Sequence, residues 1–232
     1  MLPPRIGLRP HLNQVSTLLI GHYAAGFAAK VASPTTPLWL LLLGAQLVDV
    51  AWVTLVLADV EQLKIVAGFT QSNNLENVYI PYTHGFLPSL LWVIVAALLF
   101  RFVRARTALT GSAVAIGFVV GSHWLLDLIV HVPDLPLVGD SYKVGFGLWD
   151  SRWLAFTLEL SLVVGAGFWW ASYYGRAAYL FVSVLGLMCV ANYFGPLPTT
   201  VLGVVLAASA VYLVVTAAAY FGERLGWFRQ HR

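Results

Sequence analysis

Residues 109–131 read LTGSAVAIGFVVGSHWLLDLIVH, an apolar stretch of membrane-spanning length that also carries three ionisable side chains. A helix needs about 20 apolar residues to cross the hydrocarbon core of a bilayer. His123, Asp127 and His131 are spaced i, i+4 and i+8, so they share one face of such a helix. The stretch therefore predicts a transmembrane helix with a metal-binding or catalytic face. The alternative is a hydrogen-bonded polar stripe that packs the helix against a neighbour.

The composition of the whole chain extends this interpretation. The 232 residues are 59% hydrophobic and only 10% charged, with a mean hydropathy of +0.80, whereas soluble domains carry about 25% charged residues. The single cysteine, Cys189, lies in an apolar run and excludes a disulfide framework or a cysteine metal cluster. The net charge of +3 is small and gives no reason to expect a nucleic-acid partner. Membrane lipid is the expected partner, and the oligomeric state stays open.

Seven apolar stretches predict an all-α, polytopic transmembrane helix bundle that forms one domain over residues 1–232. The predicted spans are 14–32, 37–58, 84–102, 109–131, 153–172, 177–195 and 200–221. The first span is the weakest, because it contains several small residues and His22. It is compatible with a shorter, partly inserted helix.

Basic residues give the expected orientation of the bundle. Arginines cluster between the third and fourth spans and again after the seventh, at Arg101, Arg104, Arg106, Arg224, Arg229 and Arg232. The positive-inside rule assigns both regions, and hence the C-terminus, to the cytoplasm. Arg5, Arg9 and Arg152 argue mildly against this orientation. The expected location is the inner membrane of a bacterium, with the 59–83 and 132–152 loops outside.

Most buried ionisable residues fall at one depth in this topology. At 1.5 Å per helical residue, His22, Asp49, His123 and Glu159 lie roughly 9–14 Å below the outer ends of their spans. Asp127 is shallower, His84 opens the third span, and His131 closes the fourth. Because ionisable groups in hydrocarbon are costly unless paired, we predict one pocket in the outer half of the membrane. The two longer outer loops would form its lid.

The residue types in this layer predict a metal site. The predicted ligands are His22, Asp49, His84, His123 and Asp127, with His131 as a possible additional ligand. Imidazole and carboxylate donors suit a divalent ion, zinc foremost and iron or manganese next. Asp127 and Glu159 are the candidate catalytic residues, because either carboxylate can accept a proton from a metal-activated water.

Each of these residues also has a purely structural interpretation. Asp49 can be a protonated aspartate bonded to a neighbouring helix, and His22 a buried structural histidine. His84 can be an interfacial residue behind Thr83, a predicted N-cap, and His131 can lie at the membrane interface. Glu159 can be an acceptor that orients a ligand imidazole.

The same residues, taken in chain order, resemble a known family of bacterial inner-membrane proteins. These are the predicted membrane-bound metal-dependent hydrolases of the LexA-regulated, YdjM-like group. That family shows an early membrane histidine, a Pro-Asp-Leu-Asp element, a Thr-His-Ser element and a His-x-x-x-Asp helix. The present chain has His22, Asp49, Thr83-His84-Gly85 and His123-x-x-x-Asp127 in the same order, and the similarity covers roughly residues 15–131.

The chain departs from the family pattern at three places. Ala51 stands where the second aspartate is expected, Tyr79-Ile80-Pro81 replaces a His-Arg-Gly element, and Gly85 replaces the serine. Ligands for a second ion are therefore in doubt, and one metal ion is expected rather than two. The resemblance implies a hydrolase. For the family itself, that activity is a prediction from the pattern of metal-ligand residues.

The leading hypothesis is a metal-dependent hydrolase that acts on a lipid or a lipid-linked ester or phosphodiester. The alternative is an ion- or proton-coupled permease that uses the same buried histidines and carboxylates. A haem protein with two axial histidines and a scaffold held together by interhelical polar contacts are the remaining interpretations.

Overall fold

A computed structural model describes residues 20–103, 110–196 and 198–229 of the chain. This part of the chain is mostly helical, so the predicted helix bundle is confirmed. Its helices are α1 (Tyr23–Ala32), α2 (Leu38–Ala45), α3 (Leu47–Leu57), α4 (Phe86–Val103), α5 (Thr110–Val130), α6 (Arg152–Tyr174), α7 (Arg176–Phe194) and α8 (Val201–Arg224). Two short strands, β1 (Gln62–Ile65) and β2 (Leu75–Tyr79), complete the described elements.

Five of the described helices, α4 to α8, are long and apolar enough to cross a bilayer. The predicted span 37–58 is divided at Gln46 into α2 and α3, which are bent by 51° and count as a sixth crossing if they form one broken span. The first predicted span contains a three-residue 3₁₀ turn, Ile20–His22, followed by the ten residues of α1. At about 15 Å, α1 is too short to cross alone. Residues 14–19, Arg104 and Arg106 lie outside the described part.

Helices α1 and α4 show the two extremes of burial. In α4, Leu91, Ile94 and Leu98 are more than half exposed, and only 6% of this span is buried. Such a face suits contact with lipid chains. In α1, Tyr23 and Phe27 are almost fully buried, and the helix packs against α2, α5 and α6. Gly26 allows the contact with α2, since a Cβ atom there would lie 2.8 Å from Leu42 Cδ2.

The two loops predicted to be long lie together at one end of the bundle, here called the hairpin end. Strands β1 and β2 pair antiparallel, with Lys64 opposite Glu76 and Ile65 opposite Leu75, so the 59–83 loop contains a hairpin that the sequence did not predict. The 132–152 loop carries an isolated bridge between Leu135 and Val144. The loops also contact each other, since Ser72 N donates to the Trp149 carbonyl.

A partly buried ion pair lies at the opposite end of the bundle. Lys30 Nζ of α1 is 2.8 Å from Glu223 Oε1 of α8, and Glu223 Oε2 accepts a hydrogen bond from Leu38 N of α2. The lysine also donates to the carbonyls of Pro34 and Thr36. These bonds satisfy the charges and tie three helices together.

Candidate metal centre

Four histidines and two aspartates from separate parts of the chain meet near the hairpin end. We call this set the ionisable cluster; it consists of His22, Asp49, His84, His123, Asp127 and His131. All six are residues that the sequence pattern singled out as ligands. Asp49 has the most exposed side chain at 14%, and the other five are at 6% or less.

Asp127 lies at the centre of the ionisable cluster. Its Oδ2 atom is 3.2 Å from His123 Nε2 and 3.6 Å from His84 Nε2. Its Oδ1 atom faces a different pair, 3.3 Å from His22 Nε2 and 3.8 Å from His131 Nε2. The Asp127 carboxylate thus lies close to four imidazoles, two at each of its oxygen atoms.

Asp49 comes from the first turn of α3 and completes one side of the ionisable cluster. Its Oδ1 atom is 3.3 Å from His84 Nε2 and 3.6 Å from His123 Nε2. Its Oδ2 atom accepts a hydrogen bond of 3.0 Å from the Tyr212 hydroxyl of α8. The tyrosine therefore orients the carboxylate from behind, as hydrogen-bonded neighbours of metal ligands do.

A relay from Glu61 fixes the ring of His84. The carboxylate of Glu61 accepts hydrogen bonds from the backbone N–H groups of Tyr82 and Thr83 and from the Thr83 hydroxyl, at 2.9, 3.0 and 2.6 Å. Thr83 Oγ1 lies 2.8 Å from His84 Nδ1. Because the one hydroxyl proton goes to the carboxylate, the oxygen must accept a proton from Nδ1, and Nε2 is the nitrogen that faces the aspartates. Thr83 therefore acts on His84 rather than capping α4, which begins at Phe86.

The break between α2 and α3 fixes the ring of His123. His123 Nδ1 lies 2.9 Å from the carbonyl oxygen of Ala45, which ends α2. In a continuous helix this carbonyl would accept the N–H of residue 49. The break leaves the Ala45 carbonyl free to bond His123. Because a carbonyl oxygen only accepts, His123 Nδ1 carries a proton, and its Nε2 faces the aspartates.

His131 is oriented in the same way by the 132–152 loop. Its Nδ1 atom is 2.8 Å from Asp134 Oδ1, while its ring lies against Trp149 with ring centres 4.3 Å apart. Asp134 was not among the predicted site residues, although its His-x-x-Asp spacing from His131 was a usable signal.

Three imidazoles therefore turn Nε2 toward two carboxylates. His84, His123 and His131 each direct Nδ1 to an outer acceptor and Nε2 inward. His123 Nε2 and Asp127 Oδ2 are fully buried and form no hydrogen bond, although they lie 3.2 Å apart. When the imidazoles are neutral, their Nε2 lone pairs and the carboxylates repel one another unless a cation lies between them. The arrangement is thus suited to holding a divalent ion.

Several donor separations in the ionisable cluster match the spacing expected around a metal ion. With metal–ligand bonds of about 2.0–2.2 Å, tetrahedral donors lie roughly 3.3–3.6 Å apart. Oδ1 of Asp49, Nε2 of His84, Nε2 of His123 and Oδ2 of Asp127 give four measured separations of 3.3, 3.6, 3.6 and 3.2 Å. The donor atoms of two groups, His22 with His123 and Asp127, and Asp49 with His84 and His123, lie within 4.8 Å of one another. A buried His/Asp group that could hold a metal ion is therefore present.

Glu159, the other predicted catalytic carboxylate, adjoins the ionisable cluster from α6. It is 1% exposed and accepts hydrogen bonds from Gly21 N, at 3.5 Å, and from the Tyr193 hydroxyl. Gly21 precedes His22, and a Cβ atom on Gly21 would lie 3.3 Å from Glu159. Glu159 therefore supports the turn that carries His22.

Sequence reasoning missed several supporting groups. Glu61 sits in a polar loop with no motif around it, and Tyr212 is one of ten tyrosines. The Ala45 carbonyl becomes available only through the break at Gln46. No sequence pattern reveals these three contacts, because each depends on how distant elements pack.

The fold and the site define the chain as a multi-pass, membrane-type helical protein with a buried His/Asp cluster. No protein-family model, curated protein or solved structure matches the chain.

Proposed function

We propose that this chain is an integral-membrane, metal-dependent hydrolase whose site lies in the outer half of the bilayer. The observation that carries the proposal is the inward orientation of three buried imidazoles, each with Nδ1 held by an outer acceptor, around Asp49 and Asp127. The motif order shared with the YdjM-like group supports the same function.

Four residues are assigned to hold the ion: Asp49, His84, His123 and Asp127. His22 and His131 contact the remaining oxygen of Asp127. Zinc is the favoured ion, with iron or manganese as alternatives, because the donors are imidazole nitrogens and carboxylate oxygens. When bound, such an ion supplies Lewis-acid polarisation and a water with a pKa near 7.

Two carboxylates of the chain are assigned different roles in the reaction. Asp127 is surrounded by imidazoles and acts chiefly as a ligand, although it can also accept a proton. Glu159 adjoins the His22 turn and is assigned as the proton acceptor for the attacking water. Tyr212, Thr83 and Glu61 keep the ligands in position and do not touch the substrate.

The burial pattern supports a lipid-like substrate. Asp49 offers the most accessible side chain of the ionisable cluster, so approach is expected from the α3 side. A substrate that reaches a site inside a membrane bundle must itself partition into the bilayer. We therefore propose a lipid or a lipid-linked ester or phosphodiester, approached from the outer leaflet of a bacterial inner membrane.

Metal content of the detergent-purified protein tests the proposal. We expect near-stoichiometric zinc, iron or manganese by inductively coupled plasma mass spectrometry, and its loss in Asp49→Ala and His123→Ala. Asp59→Ala, which removes an exposed carboxylate, is the matched control. Full metal occupancy in the folded Asp49→Ala/His123→Ala double variant would refute the site. Hydrolysis of lipid esters and phosphodiesters is then screened with the loaded protein.

One observation favours the alternative of an ion- or proton-coupled permease. A second charged group, the partly buried ion pair of Lys30 with Glu223, lies at the other end of α1 from His22. Between these groups, the buried α1 residues Ala24, Phe27 and Ala29 are apolar. They provide no polar side chain that could pass on a proton or an ion. We therefore rank the permease second. Ion or proton flux in proteoliposomes that disappears in Lys30→Met would reverse this ranking.

A further inference from the structure

We propose that an apolar crevice between α2 and α4 holds one acyl chain of the lipid substrate next to the ionisable cluster. This inference rests on the proposed function and deepens it, because it assigns the surface that positions the substrate. We call this feature the lateral crevice; its lining comes from α2, α3, α4 and α5 and includes Leu43, Leu47, Ala96, Phe100, Ile116 and Val120.

The packing of α4 creates the lateral crevice. Among the described helices, α4 packs extensively against α5 alone, whereas α2 packs against α1, α5 and α8. Helices α2 and α4 therefore both rest on α5 without packing extensively against each other. Ile116 and Val120 of α5 are buried and form the floor, and half-buried Leu43 and Phe100 stand on the two walls. The space between them has a volume of about 260 Å³.

One end of the lateral crevice lies at the level of the ionisable cluster. Leu47 is two residues before Asp49, and Val120 is three residues before His123. The crevice therefore ends within roughly 5 Å of these two ligand positions along the bundle axis. Ala96 of the opposite wall lies about 15 Å beyond the first residue of α4. A chain in the crevice would thus run from the cluster toward the end of the bundle opposite the hairpin.

The lining of the lateral crevice suits hydrocarbon. Apart from the indole of Trp39, its side chains are purely apolar. An apolar space that borders a bilayer is filled by lipid chains, because an empty space deprives its lining of dispersion contacts. The volume is below the roughly 300–1,000 Å³ of sites that enclose a whole drug-sized ligand, so the crevice fits one chain and leaves the headgroup outside.

The lateral crevice contributes position rather than affinity. Lipid tails are as apolar as the lining, so a chain gains no hydrophobic free energy when it leaves the bilayer for the crevice. A chain held there places the polar part of the same lipid at the ionisable cluster. Such positioning lowers the barrier to a reaction by removing the entropy cost of bringing the reacting groups together.

Photolabelling of the metal-free protein tests the lateral crevice independently of the metal. The protein is reconstituted in phosphatidylglycerol bilayers that contain a small fraction of phosphatidylglycerol with a diazirine in its sn-2 chain. Mass spectrometry then identifies the labelled residues. We expect label on Leu43 and Leu47, and also on Leu91, which is 61% exposed on α4 and serves as the internal reference for bulk lipid.

Substitutions at Ala96 fill the lateral crevice from the wall opposite Leu43 and Leu47. In Ala96→Trp the label on these two leucines, relative to Leu91, should fall by about tenfold, because the indole occupies the space. Ala96→Leu fills less of it and should give a smaller loss in the same direction, which keeps the test valid if Ala96→Trp does not fold. Leu98→Trp, on the 61% exposed face of the same helix, is the matched control and should leave the ratio unchanged. All three variants should keep the metal content of the wild type.

The outcomes separate this inference from the proposed function. Equal labelling ratios in the wild type, Leu98→Trp and a folded Ala96 variant overturn the lateral crevice and leave the metal site intact. A dimer that Ala96→Trp dissociates, with no label on Leu43 or Leu47 in the wild type, assigns the crevice to a second copy of the chain and also overturns the inference. A labelled crevice in a protein that binds no metal overturns the proposed function, and the substrate role of the bound chain with it.

Discussion

Replacing Thr83 with valine removes one hydroxyl and keeps the shape of the side chain, so it tests the support of the metal centre in isolation. Thr83 Oγ1 lies 2.6 Å from Glu61 Oε2 and 2.8 Å from His84 Nδ1, and both contacts are buried. In Thr83→Val the imidazole loses the acceptor that keeps its proton on Nδ1. A proton on Nε2 then competes with the metal.

The magnitude follows from the position of Thr83. Loss of a hydrogen-bonding neighbour of a metal ligand typically costs 10–100-fold in metal affinity, which is about 1.4–2.7 kcal/mol of binding free energy. Glu61 keeps the backbone N–H groups of Tyr82 and Thr83, so the loop should stay folded. The lost bonds should lower the free energy of unfolding by about 1–3 kcal/mol.

Competition against a chromophoric zinc chelator in detergent measures the affinity, and circular dichroism checks the fold. Thr83→Ser keeps the hydroxyl and should bind zinc like the wild type. Thr54→Val is the matched control, because the Thr54 hydroxyl bonds only to the exposed turn of its own helix at Val50. A folded Thr83→Val protein that binds zinc as tightly as Thr54→Val would refute the reasoning.

Three further predictions concern the metal and the packing. Asp127→Asn should reduce metal binding more than 100-fold with the fold retained, since Asp127 contacts four imidazoles; unchanged metal content would contradict this. Zinc at about 100 times its dissociation constant should stabilise the wild type by about 2.7 kcal/mol, seen as a rise in melting temperature that is absent in Asp49→Ala. Gly167→Ala should lower the melting temperature, because its Cβ atom would lie 2.5 Å from Val182 Cγ1, with an overpacking cost of about 1–3 kcal/mol. Gly165→Ala, with nothing within 4 Å, should be neutral or stabilising, and equal effects at both glycines would contradict the packing argument.

The sequence predicted the helical membrane bundle because apolar length is a direct physical requirement of the bilayer. It placed α4 to α8 within a few residues of their observed bounds. It did not predict the bend at Gln46, which has no proline and no polar run to mark it. The hairpin of β1 and β2 also escaped prediction, since its strands are short and lie in a mixed polar loop.

The residues of the ionisable cluster were predictable for an energetic reason. An ionisable side chain in an apolar run is costly, so each one indicates a partner. Depth along the helices then predicted that His22, Asp49 and His123 lie in one layer. Depth carries no information on helix rotation, and so the pairing of individual oxygens and nitrogens around Asp127 required the three-dimensional structure.

The site depends on the irregular parts of the backbone. Inside a bilayer a helix normally uses most of its carbonyls within itself, so a carbonyl without a backbone partner is found chiefly where a helix ends. Ala45 ends α2 and holds His123. His22 ends the 3₁₀ turn before α1, and His131 follows the last residue of α5. His84 precedes the first residue of α4 and is held by the loop residue Glu61 through Thr83. A bundle of seven uninterrupted spans with the same residues would place the imidazoles at similar depths but would leave His123 without its acceptor. The short first helix and the broken second span therefore allow the buried imidazoles to direct Nε2 toward the Asp127 carboxylate.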